Sequence, residues 1–97
     1  MDDLNAGTIE IVSVDVTDRL GAITDLSIYV VNFRVAKEDG SDQVAWALAT
    51  NVVLMRVDCL LDTITGTAWP KAHYELYIRP IIGSEEPILG PFDFNLV

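Results

Sequence analysis

The chain has little of what small proteins use to staple themselves together or to do chemistry. One cysteine, Cys59, and one histidine, His73, occur in 97 residues. A single thiol cannot close an internal disulfide, so a disulfide-framed secreted scaffold is excluded and stability must come from the core. In an alternating segment Cys59 is expected as a small buried apolar group. One Cys and one His cannot complete a zinc set without two carboxylates, and neither a metal nor a cofactor is expected. No nucleophile and acid stand at a recognisable spacing from His73, and its ring is expected to be solvated on the outward phase of a strand. There is no G-x-S-x-G elbow and no glycine-rich phosphate loop ahead of a helix. These absences point away from an enzyme.

Basic residues are also scarce: six Lys and Arg stand against fifteen Asp and Glu, for a net charge of −9. Such a surface repels a phosphate backbone, so no nucleic-acid partner is expected. It favours solubility and attraction to basic protein surfaces. The start, Met1-Asp2-Asp3-Leu4, is acidic and lacks the basic and apolar regions of a secretory signal. No apolar run is long enough for a bilayer-spanning helix, and no membrane partner is expected. Glu38, Asp39 and Asp42 cluster in one segment and Glu85-Glu86 in another. Neither follows the D-x-[DN]-x-[DN]-G order of a calcium loop, and both read as solvated loop tips.

What the chain does have is apolar residues, 51% of the total, in short alternating runs. No linker, repeat or low-complexity tract divides residues 1–97, which read as a single domain. Ile9 to Val16 is β-branched and alternating, with an expected phase slip at Ile11-Val12 that separates Ile9 and Ile11 from Val12, Val14 and Val16. Leu26 to Val35 reads as a second strand. It is followed by a polar turn at Lys37–Asp42 in which Gly40 can take positive φ, and by a return over Val44–Leu48. Alanines at 45, 47 and 49 suit a helix there as well as a strand. Val52 to Leu61 reads as one strand with Val53, Met55, Val57, Cys59 and Leu61 on one face.

The last third is the most legible. Trp69-Pro70 makes a corner, and Tyr74, Leu76 and Ile78 face inward while Glu75, Tyr77 and Arg79 face outward. Pro80 implies an edge or a bulge. Phe92, Phe94 and Leu96 close the sheet. Tyr74 at the head of its strand fits a tyrosine corner, which pins the crossing between the sheets of a sandwich. The expected fold is therefore an all-β, antiparallel, immunoglobulin-like β-sandwich of about seven strands without a disulfide. Trp46 is expected as a core tryptophan and Trp69 as packing over the end of the sandwich. Tyr29 and Tyr77, on outward phases, are the candidate protein-contact residues.

Several motifs together carry a resemblance. Val14-x-Val16-Thr17-Asp18-Arg19, Cys59-Leu60-Leu61-Asp62-Thr63, Trp69-Pro70-x-x-x-Tyr74-x-Leu76-Tyr77 and Leu89-Gly90-Pro91-Phe92-x-Phe94 are similar to small virion proteins of tailed bacteriophages, particularly those of actinobacteria. Where many such proteins carry glycine before the corner tyrosine, this chain has Ala72-His73. The resemblance implies a non-enzymatic structural protein assembled in the host bacterial cytoplasm and located in the virion. It implies a capsid decoration protein on the major capsid protein lattice, or alternatively a neck or tail adaptor contacting other virion proteins. A homo-oligomer is compatible with either place. A carbohydrate- or receptor-binding module using outward Trp and Tyr residues is the reading from a different class.

Overall fold

Alternating apolar residues form seven strands in the computed structural model, which describes residues 3–97; Met1 and Asp2, the head of the acidic start, lie outside the described residues. The strands are β1 (Ile9–Asp15), β2 (Val30–Lys37), β3 (Asp42–Leu48), β4 (Asn51–Val53), β5 (Arg56–Asp62), β6 (His73–Ile81) and β7 (Leu89–Asn95). They pair antiparallel in two sheets, one ordered β1-β5-β4 and the other β3-β2-β6-β7. In the immunoglobulin lettering, one sheet holds B-E-D and the other C′-C-F-G.

The inward phases of both sheets meet in one core. Val12, Val14 and Val16 face Val31, Phe33 and Val35, with Val57, Cys59, Leu61, Tyr74, Leu76, Ile78 and Phe94 filling the layer between them. Burial pushes the Cys59 thiol up to about 12, so it packs as an apolar group rather than reacting as a thiolate. Tyr74 is 1% exposed, and its hydroxyl donates to the Pro70 carbonyl at 2.5 Å. That bond is the tyrosine corner, made with Ala72-His73 in place of glycine. Trp69 is buried beside it, with ring centroids 5.5 Å apart, and the Phe94 ring stacks on the other side at 5.6 Å.

Four expectations are corrected. The first strand has no phase slip: its register with β5 runs unbroken from Ile9↔Asp62 to Asp15↔Arg56. Glu10 takes an inward position at the strand's end, so Ile9 and Ile11 lie on the outer face, 50% and 58% exposed. The second strand begins at Val30 and not at Leu26. The Asp25 carboxylate accepts from the Ser27 amide at 2.9 Å and from its hydroxyl at 2.6 Å, and Tyr29 N–H donates to the Leu26 carbonyl, turning the chain there.

The run from Val52 to Leu61 is a hairpin instead of one strand. It reverses at Leu54-Met55, where Leu54 takes φ 53°. A turn of this hand matches the twist of the flanking strands. It drops Met55 into the core and leaves Val53 on the surface. Trp46 is likewise not a core residue. The β2–β3 ladder shifts register between Phe33↔Ala47 and Val35↔Val44, so Val44 and Ala47 pack inward and Trp46 turns to the outer face.

Pro80 sits in β6 beyond the reach of β7, whose last pairing toward that end is Ile78↔Leu89. Its missing N–H is harmless there. Opposite Tyr77 the β6–β7 register also shifts. Gly90 makes this possible: at φ 125° its backbone passes so close that a Cβ would lie 2.9 Å from the Leu76 carbonyl oxygen.

Candidate functional site

The outer face of the four-stranded sheet gathers aromatic and charged side chains, most of them half-buried. Strand alternation places Asn32 and Arg34 from β2 beside Tyr77 and Arg79 from β6, paired as Asn32↔Arg79 and Arg34↔Tyr77. Trp46 joins them from β3. The Arg79 guanidinium lies 4.2 Å from the Trp46 ring centroid, and that of Arg34 lies 5.5 Å from the Tyr77 ring. Each contact contributes about 0.5–2 kcal/mol, depending on how well water is excluded.

The two arginines differ in their partners. Arg34 is neutralised: its Nε pairs with the Asp42 carboxylate, and Nη2 donates to the Gly40 carbonyl at 2.7 Å, which also ties down the β2–β3 turn. Arg79 has no carboxylate within ion-pair distance among the described residues, and its Nε is buried without a hydrogen-bond partner. Exposed Val30 and Leu48, and half-buried Ile81 opposite Val30, make the neighbourhood apolar. A cation stacked on tryptophan within an aliphatic rim has the residue chemistry of an interface anchor.

The opposite end of the face is acidic. Tyr77 donates its hydroxyl to Glu75 at 3.2 Å, and burial with the Glu75 charge raises its phenol above the ordinary value. His73 is not freely solvated as its outward phase suggests. Nδ1 lies 3.1 Å from Asn95 Oδ1 and Nε2 lies 3.1 Å from Asp93 Oδ1. The Asn95 amide nitrogen donates to Asp3, which fixes its oxygen toward the ring. Both ring nitrogens therefore face acceptors. The imidazolium is favoured and the pKa rises, through Asn95 first and Asp93 next.

The acidic loop residues serve the backbone. Asp39 accepts from the Ser41 amide at 2.9 Å and from its hydroxyl at 2.5 Å. With Asp42 held by Arg34, the 38–42 cluster is a tied turn. Among the described residues no three Asp, Glu, His or Cys side chains converge on one point. A cleft of about 430 Å³ opens at one end of the three-stranded sheet, between the 17–24 loop and the Leu54 turn. Ile23, Val53, Leu54 and Met55 line it, with Asp15 and Arg56 at its wall.

Tyr77 is on the candidate face; Tyr29 is not. Tyr29 lies in the turn ahead of β2, partly buried against the core. Leu76 and Phe94 are buried, and Phe92 is half-buried, with the Arg19 guanidinium 4.9 Å from its ring. Arg34 and Arg79 did not stand out in the sequence. Their signal was present, because Arg79 follows Tyr77 by two residues and shares its outward phase. No protein-family model, no curated protein and no solved structure matches the chain.

Proposed function

We propose that this domain is a non-catalytic protein-interaction module, a structural subunit of a tailed-phage particle that decorates the major capsid lattice. The observation that carries the interaction role is the outer face of β3-β2-β6-β7, where Arg79 stacks on Trp46 inside an apolar rim and has no carboxylate of its own. Arg and Trp in that setting supply binding free energy out of proportion to their area. The particle assignment rests on the resemblance of the Trp69–Phe94 motifs to small phage virion proteins. Copies on a repeating lattice gain from avidity, so a modest face suffices. The −9 charge keeps such a subunit off packaged nucleic acid.

The test is particle composition and location. Phage particles purified from cells that express the chain should contain it in stoichiometric amounts, with its density on the capsid surface by electron cryomicroscopy. Particles without the chain would overturn the structural role, and density at the neck or tail would move it there. Trp46→Ala with Tyr77→Ala should strip the chain from particles while the domain still unfolds cooperatively, at a melting temperature lowered by the loss of the two cation–π contacts. Glycan binding by the isolated domain, lost with Trp46→Ala, would favour the carbohydrate-binding class instead.

A further inference from the structure

Four strands form the margins of the two sheets, and three of them are poor templates for another strand. β4 is three residues long. β3 shifts register twice against β2, and bulges twist an edge away from a flat partner. β7 contains Pro91, which has no N–H to offer. The end of β7 is already occupied: Leu4 N–H donates to Asn95 O at 2.8 Å and Ala6 N–H to Val97 O at 2.7 Å.

β1 is different. It is seven residues long, in continuous register with β5, and contains neither proline nor lysine. Val16 N–H donates to the Met55 carbonyl at 2.9 Å, and Thr63 N–H to the Thr8 carbonyl at 3.3 Å. These bonds fix the parity of the antiparallel ladder: Glu10, Val12 and Val14 turn their backbone groups to β5, and Ile9, Ile11 and Ser13 turn theirs away. Among the described residues no backbone group meets those of Ile9, Ile11 and Ser13 on the open side.

The side chains beside this edge define what would fit it. Ile9 and Ile11 are exposed on the outer face, with Leu60, 45% exposed, directly opposite Ile11. Glu10 lies on the inner phase, Asp15 ends the strand, and Asp62 stands opposite Ile9. The nearby cation, Arg56, is already paired with Asp58. We infer that β1 is a strand-addition site for an extended, basic segment of a partner protein that alternates apolar and cationic residues. Its backbone would complete the bonds of Ile9, Ile11 and Ser13, its outward apolar side chains would lie beside Ile9 and Ile11, and an inward cation would meet Glu10. Asp15 and Asp62 on the outer face add to the negative potential that draws a basic segment. A second copy of this chain is the wrong occupant, because it would bring another −9 charge and its own Glu10 and Asp15 to the seam. The inference rests on the proposed interaction role and gives it a second surface.

The probe is a short blocked peptide of alternating lysine and valine, titrated into the isotope-labelled domain and followed by amide hydrogen exchange. Exchange at Ile9, Ile11 and Ser13 should slow about tenfold or more, while Val12 and Val14 stay as they were. Ile11→Pro removes one open-side N–H at an edge position where proline is tolerated, and should abolish the effect without unfolding the domain. Ile11→Lys, a surface change, gives the same expectation should the proline variant not fold. No protection at millimolar peptide, equal protection by a glutamate–valine peptide, or protection at β3 or β7 instead would overturn the site. So would a concentration-dependent dimer that protects the same amides without peptide. Particles containing a chain whose β1 ignores the peptide would overturn only this inference. Protection in a chain absent from particles would overturn only the virion assignment.

Discussion

The two sheets solve the same problem to different degrees. In β3-β2-β6-β7 three outward polar groups are answered within the chain, Arg34 by Asp42, Tyr77 by Glu75, and His73 by Asn95 and Asp93, while Arg79 has only the Trp46 ring. Its margins are bulged, interrupted by Pro91 or partly covered by residues 4–6. In β1-β5-β4 Asp58 accepts from Ser13 at 2.7 Å and from Arg56 at 3.2 Å, and Asp15 and Asp62 at the strand ends accept from the turns that follow them. Between these groups Ile9, Ile11 and Leu60 leave an exposed aliphatic stretch, beside an edge with open backbone groups. The larger sheet carries the tyrosine corner and one side-chain anchor, Arg79 on Trp46, and the smaller one leaves backbone groups open along β1.

The comparison breaks most visibly under core substitution. Leu76, fully buried on β6, should lose about 2–5 kcal/mol on change to alanine, whereas Ile11→Thr on the outer face of β1 should change stability by about 0.5 kcal/mol or less. Chemical denaturation of both variants checks this, and similar losses would place Ile11 in a core. Next in size is Tyr74→Phe. It keeps the ring between Trp69 and Phe94 and removes the bond to Pro70, for an expected loss of about 1–2 kcal/mol in the same assay.

A smaller change of opposite sign is expected at the β4–β5 turn. Leu54 holds a left-handed conformation with its side chain 62% exposed. Leu54→Gly should therefore raise stability by up to about 1 kcal/mol, net of the added freedom of glycine in the unfolded chain. The smallest effect is on the His73 side of the larger sheet. Because its pKa is raised above the ordinary 6.5 in the folded state, its stabilising contribution is fully present below that value and is lost as pH rises through the higher folded pKa. The melting-temperature gap between the native chain and His73→Gln should thus be wider at about pH 5.5 than at about pH 8.5. A gap that widens on the alkaline side would mean that the ring is neutral in the fold.

The sequence discloses these two regions unequally, for physical reasons. β6 is readable because Tyr74, Leu76 and Ile78 alternate strictly with polar or amphipathic neighbours, as a strand with one face in a core must. Gly40 marks the β2–β3 turn with the one residue that takes its φ freely. The β4–β5 turn is invisible because leucine occupies a position where glycine or asparagine would have announced it. Trp46 is hard to place because the alanines at 45, 47 and 49 all lie on the opposite phase and, being small, make a tryptophan-bearing face look like the buried one until the register shift is known. Ile9 and Ile11 looked like a phase slip for a related reason. Apolar residues on an outer face resemble core residues until the register is known, and that resemblance is itself the mark of the open surface.

Native-state amide hydrogen exchange along β1 tests the contrast most directly. Ile9, Ile11 and Ser13 should exchange rapidly, alternating with slow Val12 and Val14, while the β6 amides of Leu76 and Ile78 are held to the slowest, global rate. Uniformly slow exchange from Ile9 to Val14 in the isolated domain would contradict an open β1 edge.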